Sequence, residues 1–99
     1  MTWRKESIKL LNEFKIAETD TFSSKISESK YNKIYKKIIN YVYPQLRNNP
    51  FFGSNIKKLK GEFEGLYRYR IGNYRLFYKI ENDKVLIIII DINDRKDAY

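Results

Sequence analysis

Residues 67–78, "YRYRIGNYRLFY", restrict the fold more than any other stretch of this chain. Apolar and charged positions alternate with period two on both sides of Gly72-Asn73, the two-residue signal of a tight β-hairpin. With that pair as the loop, Ile71 faces Tyr74 and Arg70 faces Arg75. Tyr69 then faces Leu76, Arg68 faces Phe77, and Tyr67 faces Tyr78. Strand side chains alternate between faces, so Tyr67, Tyr69, Ile71, Tyr74, Leu76 and Tyr78 share one side. Arg68, Arg70, Arg75 and Phe77 share the other, with Lys79 further along. The tyrosine side is apolar enough to lie under a helix, which leaves the arginine side facing outward.

Setting Arg70 opposite Arg75 is unfavourable in itself, because like charges across a strand pair repel. A solvated basic face does not need that arrangement, whereas an anion site does. Arginine's planar fork matches phosphate oxygens bidentately, and an aromatic ring among the forks can stack a base. If Asn82-Asp83 form the next loop, Ile90 lies beside Arg75, and the segment carrying Arg95 and Tyr99 emerges near it. The run "VLIIII" belongs to a strand over 84–92 that is apolar on both faces and hence central.

Upstream, "FKIAET" reads as a first strand and "TDTFSS" supplies helix N-cap residues. Ile26, Tyr31, Ile34, Tyr35, Ile38 and Val42 then recur at helical steps, with Lys30, Lys33, Lys36 and Lys37 in the gaps as a solvated face. Pro44 is expected to stop or kink that helix near Tyr43. Residues 1–13 read as a short amphipathic helix, an N-terminal extension with Ile8, Leu11 and Phe14 at helical spacing. These patterns give an α+β fold, and 99 residues give one domain.

The chemistry open to the chain is narrow. It has neither cysteine nor histidine, so thiolate nucleophiles, the usual general base and the commonest metal ligands are excluded. No cofactor or metal is expected. Twenty Lys and Arg against twelve Asp and Glu give a net charge of +8, which fits a polyanionic partner such as nucleic acid or an acidic protein segment. No signal peptide or membrane-length apolar run is visible, so a cytoplasmic protein without membrane contact is expected. Glu62 and Glu64 flank a glycine-bounded loop and receive no chemistry.

Taken in order, "NIKKLKG", "YRYRIGNYRLFY", "VLIIIIDI" and the ending "RKDAY" resemble the RelE/ParE superfamily of toxins from type II toxin–antitoxin pairs, over roughly residues 14–99. The resemblance implies an antiparallel-type sheet of about four strands with two helices on one face, in the order β-α-α-β-β-β. Its RelE-like branch implies a ribosome-dependent mRNA endonuclease in which the RNA's own 2′-hydroxyl attacks the adjacent phosphate. Such chemistry needs neither metal nor histidine. By the same resemblance Arg75 grips the scissile phosphate, Arg68 and Arg70 stand where RelE has two lysines, and Arg95 and Tyr99 form the C-terminal motif. Lys57, Lys58 and Lys60 fall in a segment that adds RNA contacts, with Phe77 and Lys79 on the same face as the arginines. A cognate antitoxin, small and acidic or amphipathic, is the implied protein partner beside mRNA and the ribosome.

Two departures bear on mechanism. Arginine stays protonated and is a poor base, so Tyr99 becomes the expected proton carrier. Asp94 stands where many relatives carry histidine, where it either orients Arg95 or blunts the site. Three readings therefore stay open: an mRNA endonuclease, a ParE-like DNA gyrase inhibitor on the same fold, and a catalytically impaired RNA-binding relative.

Overall fold

The computed structural model describes residues 13–94. The anticipated N-terminal helix, apart from its last residues, lies outside that range, as do Arg95 and Tyr99.

Strand β1 (Lys15–Glu18) leads through Thr19 into helix α1 (Asp20–Ile26). The Thr19 hydroxyl accepts the Phe22 amide at 3.1 Å, closing the first turn as an N-cap should. A 3₁₀ turn (Ser29–Tyr31) follows, and then α2 (Asn32–Lys37), a π-helical segment (Ile38–Val42) and α3 (Tyr43–Asn48) run on without interruption. Pro44 does not stop the helix; of the expected stop or kink near Tyr43, what is found is a local departure from α geometry that ends at Val42. The π segment resets the hydrogen-bond register just before it, placing Pro44 in the first turn of α3, where its missing N–H forfeits no α-type bond.

The sheet is formed by β1 with β2 (Ile56–Lys58), β3 (Tyr67–Ile71), β4 (Tyr74–Glu81) and β5 (Leu86–Asp94). Its strand order is β1-β5-β4-β3-β2, with β5 interior between β4 and the parallel edge strand β1; the other pairs are antiparallel. The α+β expectation holds, with two additions. A short fifth strand, β2, borders β3, and the β1 edge makes the sheet mixed. Among the described residues no helix is long and apolar enough to cross a membrane.

The helices cover one face of this sheet. Phe22, Ile26, Tyr31, Ile34, Ile38, Val42, Tyr43 and Leu46 bury against Tyr69, Leu76, Tyr78, Ile87, Ile89 and Ile92. Buried tyrosines need partners for their hydroxyls, and they find them. Tyr78 donates to the Pro50 carbonyl and Tyr69 to Gln45 Oε1, each at 2.7 Å. Glu18 Oε2 accepts from both Tyr43 (2.7 Å) and Tyr35 (2.8 Å), tying β1 to the long helix.

The β3–β4 register matches the sequence reading pair for pair, from Ile71 with Tyr74 to Tyr67 with Tyr78. The β4–β5 register does not. Glu81 pairs with Leu86, so residues 82–85 form a four-residue connection rather than a two-residue loop. Val85 adopts a left-handed conformation there, with φ of 52°. A bulge then interrupts the ladder at Phe77/Tyr78: Tyr78 pairs with Ile89 but Phe77 with Asp91, leaving Ile90 as the extra residue. Arg75 therefore faces Asn93, not Ile90.

That bulge settles which side chains face the core. Uninterrupted alternation from Ile87 and Ile89 would send Asp91 and Asn93 inward. One inserted residue reverses the parity, so Ile92 is fully buried while Asp91 and Asn93 turn to the open face. The freed backbone groups are met locally. Thr19 donates its hydroxyl to the Ile90 carbonyl (3.0 Å) and its amide to that of Ile89 (3.0 Å), and Asp91 Oδ1 accepts the Ile92 amide (2.8 Å).

Candidate functional site

Two cross-strand rows order the open face. One runs Lys57, Arg68, Phe77, Asp91 across β2, β3, β4 and β5; the next runs Arg70, Arg75, Asn93. Adjacent strands lie about 4.8 Å apart, so each row sets its charges at near-constant spacing on a rigid platform. The hairpin needs both residues of its tight turn, and Gly72 supplies the positive φ (56°) that the first of them requires.

The rows floor a groove of about 490 Å³. Lys57, Arg68 and Arg75 supply positive charge, and Phe77 supplies a ring in its centre. Leu59, Phe63 and Leu66, from the connection between β2 and β3, form an apolar wall, and Ile90, Asp91 and Asn93 line the β5 side. Arg68 and Arg75 are half-buried, with Nε atoms shielded from solvent. That burial limits the directions their forks can take. Arg70 is exposed at the rim.

The remaining expected positions divide. Lys79 shares the face but pairs with Glu81 at 3.3 Å and does not line the groove. Lys58 lies opposite Tyr67, on the other parity of β2, and Lys60 follows that strand; both are exposed and outside the groove. Arg95 and Tyr99 fall outside the described residues.

Three participants escaped the sequence reading. Asp91 and Asn93 reach the face only through the bulge. Lys25, from α1, extends to the same place, its Nζ 3.2 Å from Asp91 Oδ1 and 2.8 Å from Asn93 Oδ1. In the sequence the only trace is the "DIND" alternation, which without the bulge assigns the opposite face.

The groove can hold an anion and a flat ring together: forked donors for phosphate oxygens, an aromatic surface for a base. Proton transfer must come from elsewhere than the core tyrosines. Burial, and then the Glu18 carboxylate, push the Tyr35 hydroxyl up to about 12 and Tyr43 further in the same direction. Burial also raises Tyr78, which lies on the helix side of the sheet. These groups hold the fold and stay neutral.

Comparison with known proteins gives concordant results. The sequence model of a family described as the ParE toxin of type II toxin–antitoxin system, parDE, matches residues 18–99. Toxin RelG of Mycobacterium tuberculosis is 27% identical over 67 residues, which is 68% of this chain and 75% of that protein. Among solved structures, the toxin–antitoxin complex RelBE2 of M. tuberculosis superposes with a TM-score of 0.73 at 22% identity, over 84% of this chain and 99% of that one. The RelB–RelE antitoxin–toxin complex of Methanococcus jannaschii gives a TM-score of 0.56 at 30% identity, over 83% and 93%. The YoeB–YefM complex of Staphylococcus aureus gives 0.62 at 26%, over 81% and 94%.

Proposed function

This chain belongs to the ParE toxin family of type II toxin–antitoxin systems, and we propose that its arginine face is the working surface of a ribosome-dependent mRNA endonuclease. One observation carries the reading: Arg70 and Arg75 are held directly across from each other, with Arg68 and Phe77 in the neighbouring row. The repulsion built into that pairing is relieved when a phosphate accepts from both forks.

In the proposed reaction the ribose 2′-oxygen attacks the adjacent phosphorus and the bond to the 5′-oxygen breaks. The products are a 2′,3′-cyclic phosphate and a 5′-hydroxyl. Arg75 holds the non-bridging oxygens, and Arg68 and Arg70 offset the charge that builds on the phosphorane. Phe77 stacks a base and so fixes the ribose relative to the phosphate. The arginines do not exchange protons at neutral pH, and Tyr99 is assigned that task, with Arg95 as a further phosphate ligand. Lys57 lines the groove as an RNA contact; Lys58, Lys60 and Lys79 contribute more distant charge.

A cognate antitoxin is proposed as the protein partner, supported by the structural relatives solved as complexes with theirs. An acidic segment would complement the +8 charge, and exposed Ile39 and Tyr41 on the helix side offer apolar contact.

Mapping new 5′ ends on translated messages by primer extension, after brief expression, tests the reading. Cuts within codons are expected, and Arg75→Ala should reduce them by about 10²–10³-fold. The match to the ParE model favours gyrase inhibition as the second reading; intact messages accompanied by a DNA-damage response would establish it instead. Charge reversal at Arg68 and Arg70 is expected to weaken both RNA and antitoxin binding, and unchanged antitoxin affinity would separate the two surfaces.

A further inference from the structure

The groove proposed to receive phosphate has a carboxylate in its wall. Asp91 stands in the same cross-strand row as Arg68 and Phe77, and diagonally from Arg75. Left alone, its charge would act against an incoming phosphate and would draw the arginine forks toward itself. Among the described residues, however, the ionic partner of Asp91 is Lys25, which reaches it from α1.

We infer that Lys25 is a positioning residue of the arginine groove, cancelling the charge of Asp91 and holding Asn93 in place so that the β5 wall does not oppose RNA phosphate. The inference rests on the RNA reading of this groove. Its geometry is specific. The Lys25 ammonium bridges Asp91 Oδ1 and Asn93 Oδ1, the β5 members of both rows. Asp91 Oδ1 is held a second time by the Ile92 amide, so two donors fix that oxygen on the β5 side of the groove. The side chains of Lys25 and Asp91 are about one-third exposed (31% and 32%). The pair is therefore partly screened, and its worth lies in local charge more than in holding the molecule together.

The placement of Lys25 depends on the other devices already described. Thr19 caps α1 and bonds the bulge carbonyl, which locks the start of the helix to β5. Six residues on, Lys25 lies in the last turn of α1. The bulge turns Asp91 and Asn93 outward, and the capped helix brings an ammonium to meet them. Neither device accounts for the lysine; an apolar or neutral residue would serve the cap and the bulge equally well.

The test is fluorescence anisotropy of a 5′-labelled single-stranded RNA at fixed salt, with the wild-type chain, Lys25→Gln, Asp91→Asn and the double variant. Exposing one carboxylate near a bound phosphate weakens binding by about tenfold in Lys25→Gln. Asp91→Asn binds more tightly than wild type. The double variant returns to within about twofold of wild type, because removing the carboxylate removes the need for the lysine. A purely structural lysine would not be rescued in this way. Lys25→Gln equal to wild type, or a double variant as weak as Lys25→Gln, overturns the inference alone. A wild-type chain that does not bind the RNA overturns the RNA reading together with it.

Discussion

Single residues in this molecule hold positions that their type would not choose freely. Val85 is β-branched and left-handed at φ 52°, a conformation that costs roughly 1–2 kcal/mol for an L-residue with a Cβ. Val85→Gly is expected to relieve that strain and, after the loss of a half-buried side chain, to raise stability by about 0.5 kcal/mol in urea denaturation. Glu18 works in the opposite sense. Its carboxylate satisfies two tyrosine hydroxyls, so Glu18→Ala should cost about 2 kcal/mol by the same measurement. The tyrosines also set a pH limit. Their hydroxyls are harder to ionise in the folded state, Tyr35 reaching about 12 against an ordinary 10.0. Their contribution is fully present below pH 10 and is lost as pH rises through the folded value. Stability should hold to about pH 10 and fall beyond it. A Tyr35→Phe, Tyr43→Phe double variant should show a shallower alkaline decline when followed by circular dichroism.

At the scale of elements, the β3–β4 hairpin was legible in the sequence because everything that sets its register is local. A Gly-Asn loop and ten alternating residues admit one pairing, and Arg68, Arg70, Arg75 and Phe77 followed from it. The β4–β5 pairing was not legible. Its bulge is stabilised by Thr19, 71 positions from Ile90, and no local pattern carries that information. Comparable separations, 66 and 68 positions, hid the contacts of Lys25 with Asp91 and Asn93. Pro44 marked the irregularity near Tyr43 but not its form: the helix continues through a π-helical segment rather than ending, and such segments have no reliable sequence mark. The bulge gives a sharp expectation. Deleting Ile90 removes the extra residue yet leaves Phe77 opposite Asp91 and Leu76 opposite Ile92, so Asp91 stays on the open face and Ile92 in the core. The cost should be confined to the half-buried Ile90 side chain and the Thr19 bond to its carbonyl, about 1–3 kcal/mol. Ile90→Ala, which keeps the residue count, should cost less than about 1.5 kcal/mol. Chemical denaturation of the two variants checks the contrast.

For the whole molecule, the sheet separates two sets of positive charge, one on each side. Arg68, Arg70 and Arg75 lie on the open face, while Lys33, Lys36 and Lys37 are exposed on the helical layer. If only the open face meets RNA, each neutralised cation there lowers the salt dependence of binding by about 0.7 in log–log slope. Arg70→Gln should show that decrease, and Lys36→Gln should leave the slope unchanged; titrations at several salt concentrations distinguish them. The strand order also carries a consequence in time. β5 lies between β1 and β4, yet it is synthesised after all four other strands. Until it emerges, β1 has no partner, since its register runs from Lys15 with Leu86 to Glu18 with Ile89. A nascent chain arrested before residue 86 would carry the arginine hairpin without the strand that backs it or the wall that Asp91 and Asn93 provide. Pairings this distant in sequence form late, so the arginine face gains its β5 side only when the last strand to leave the ribosome takes its place between two strands made long before it.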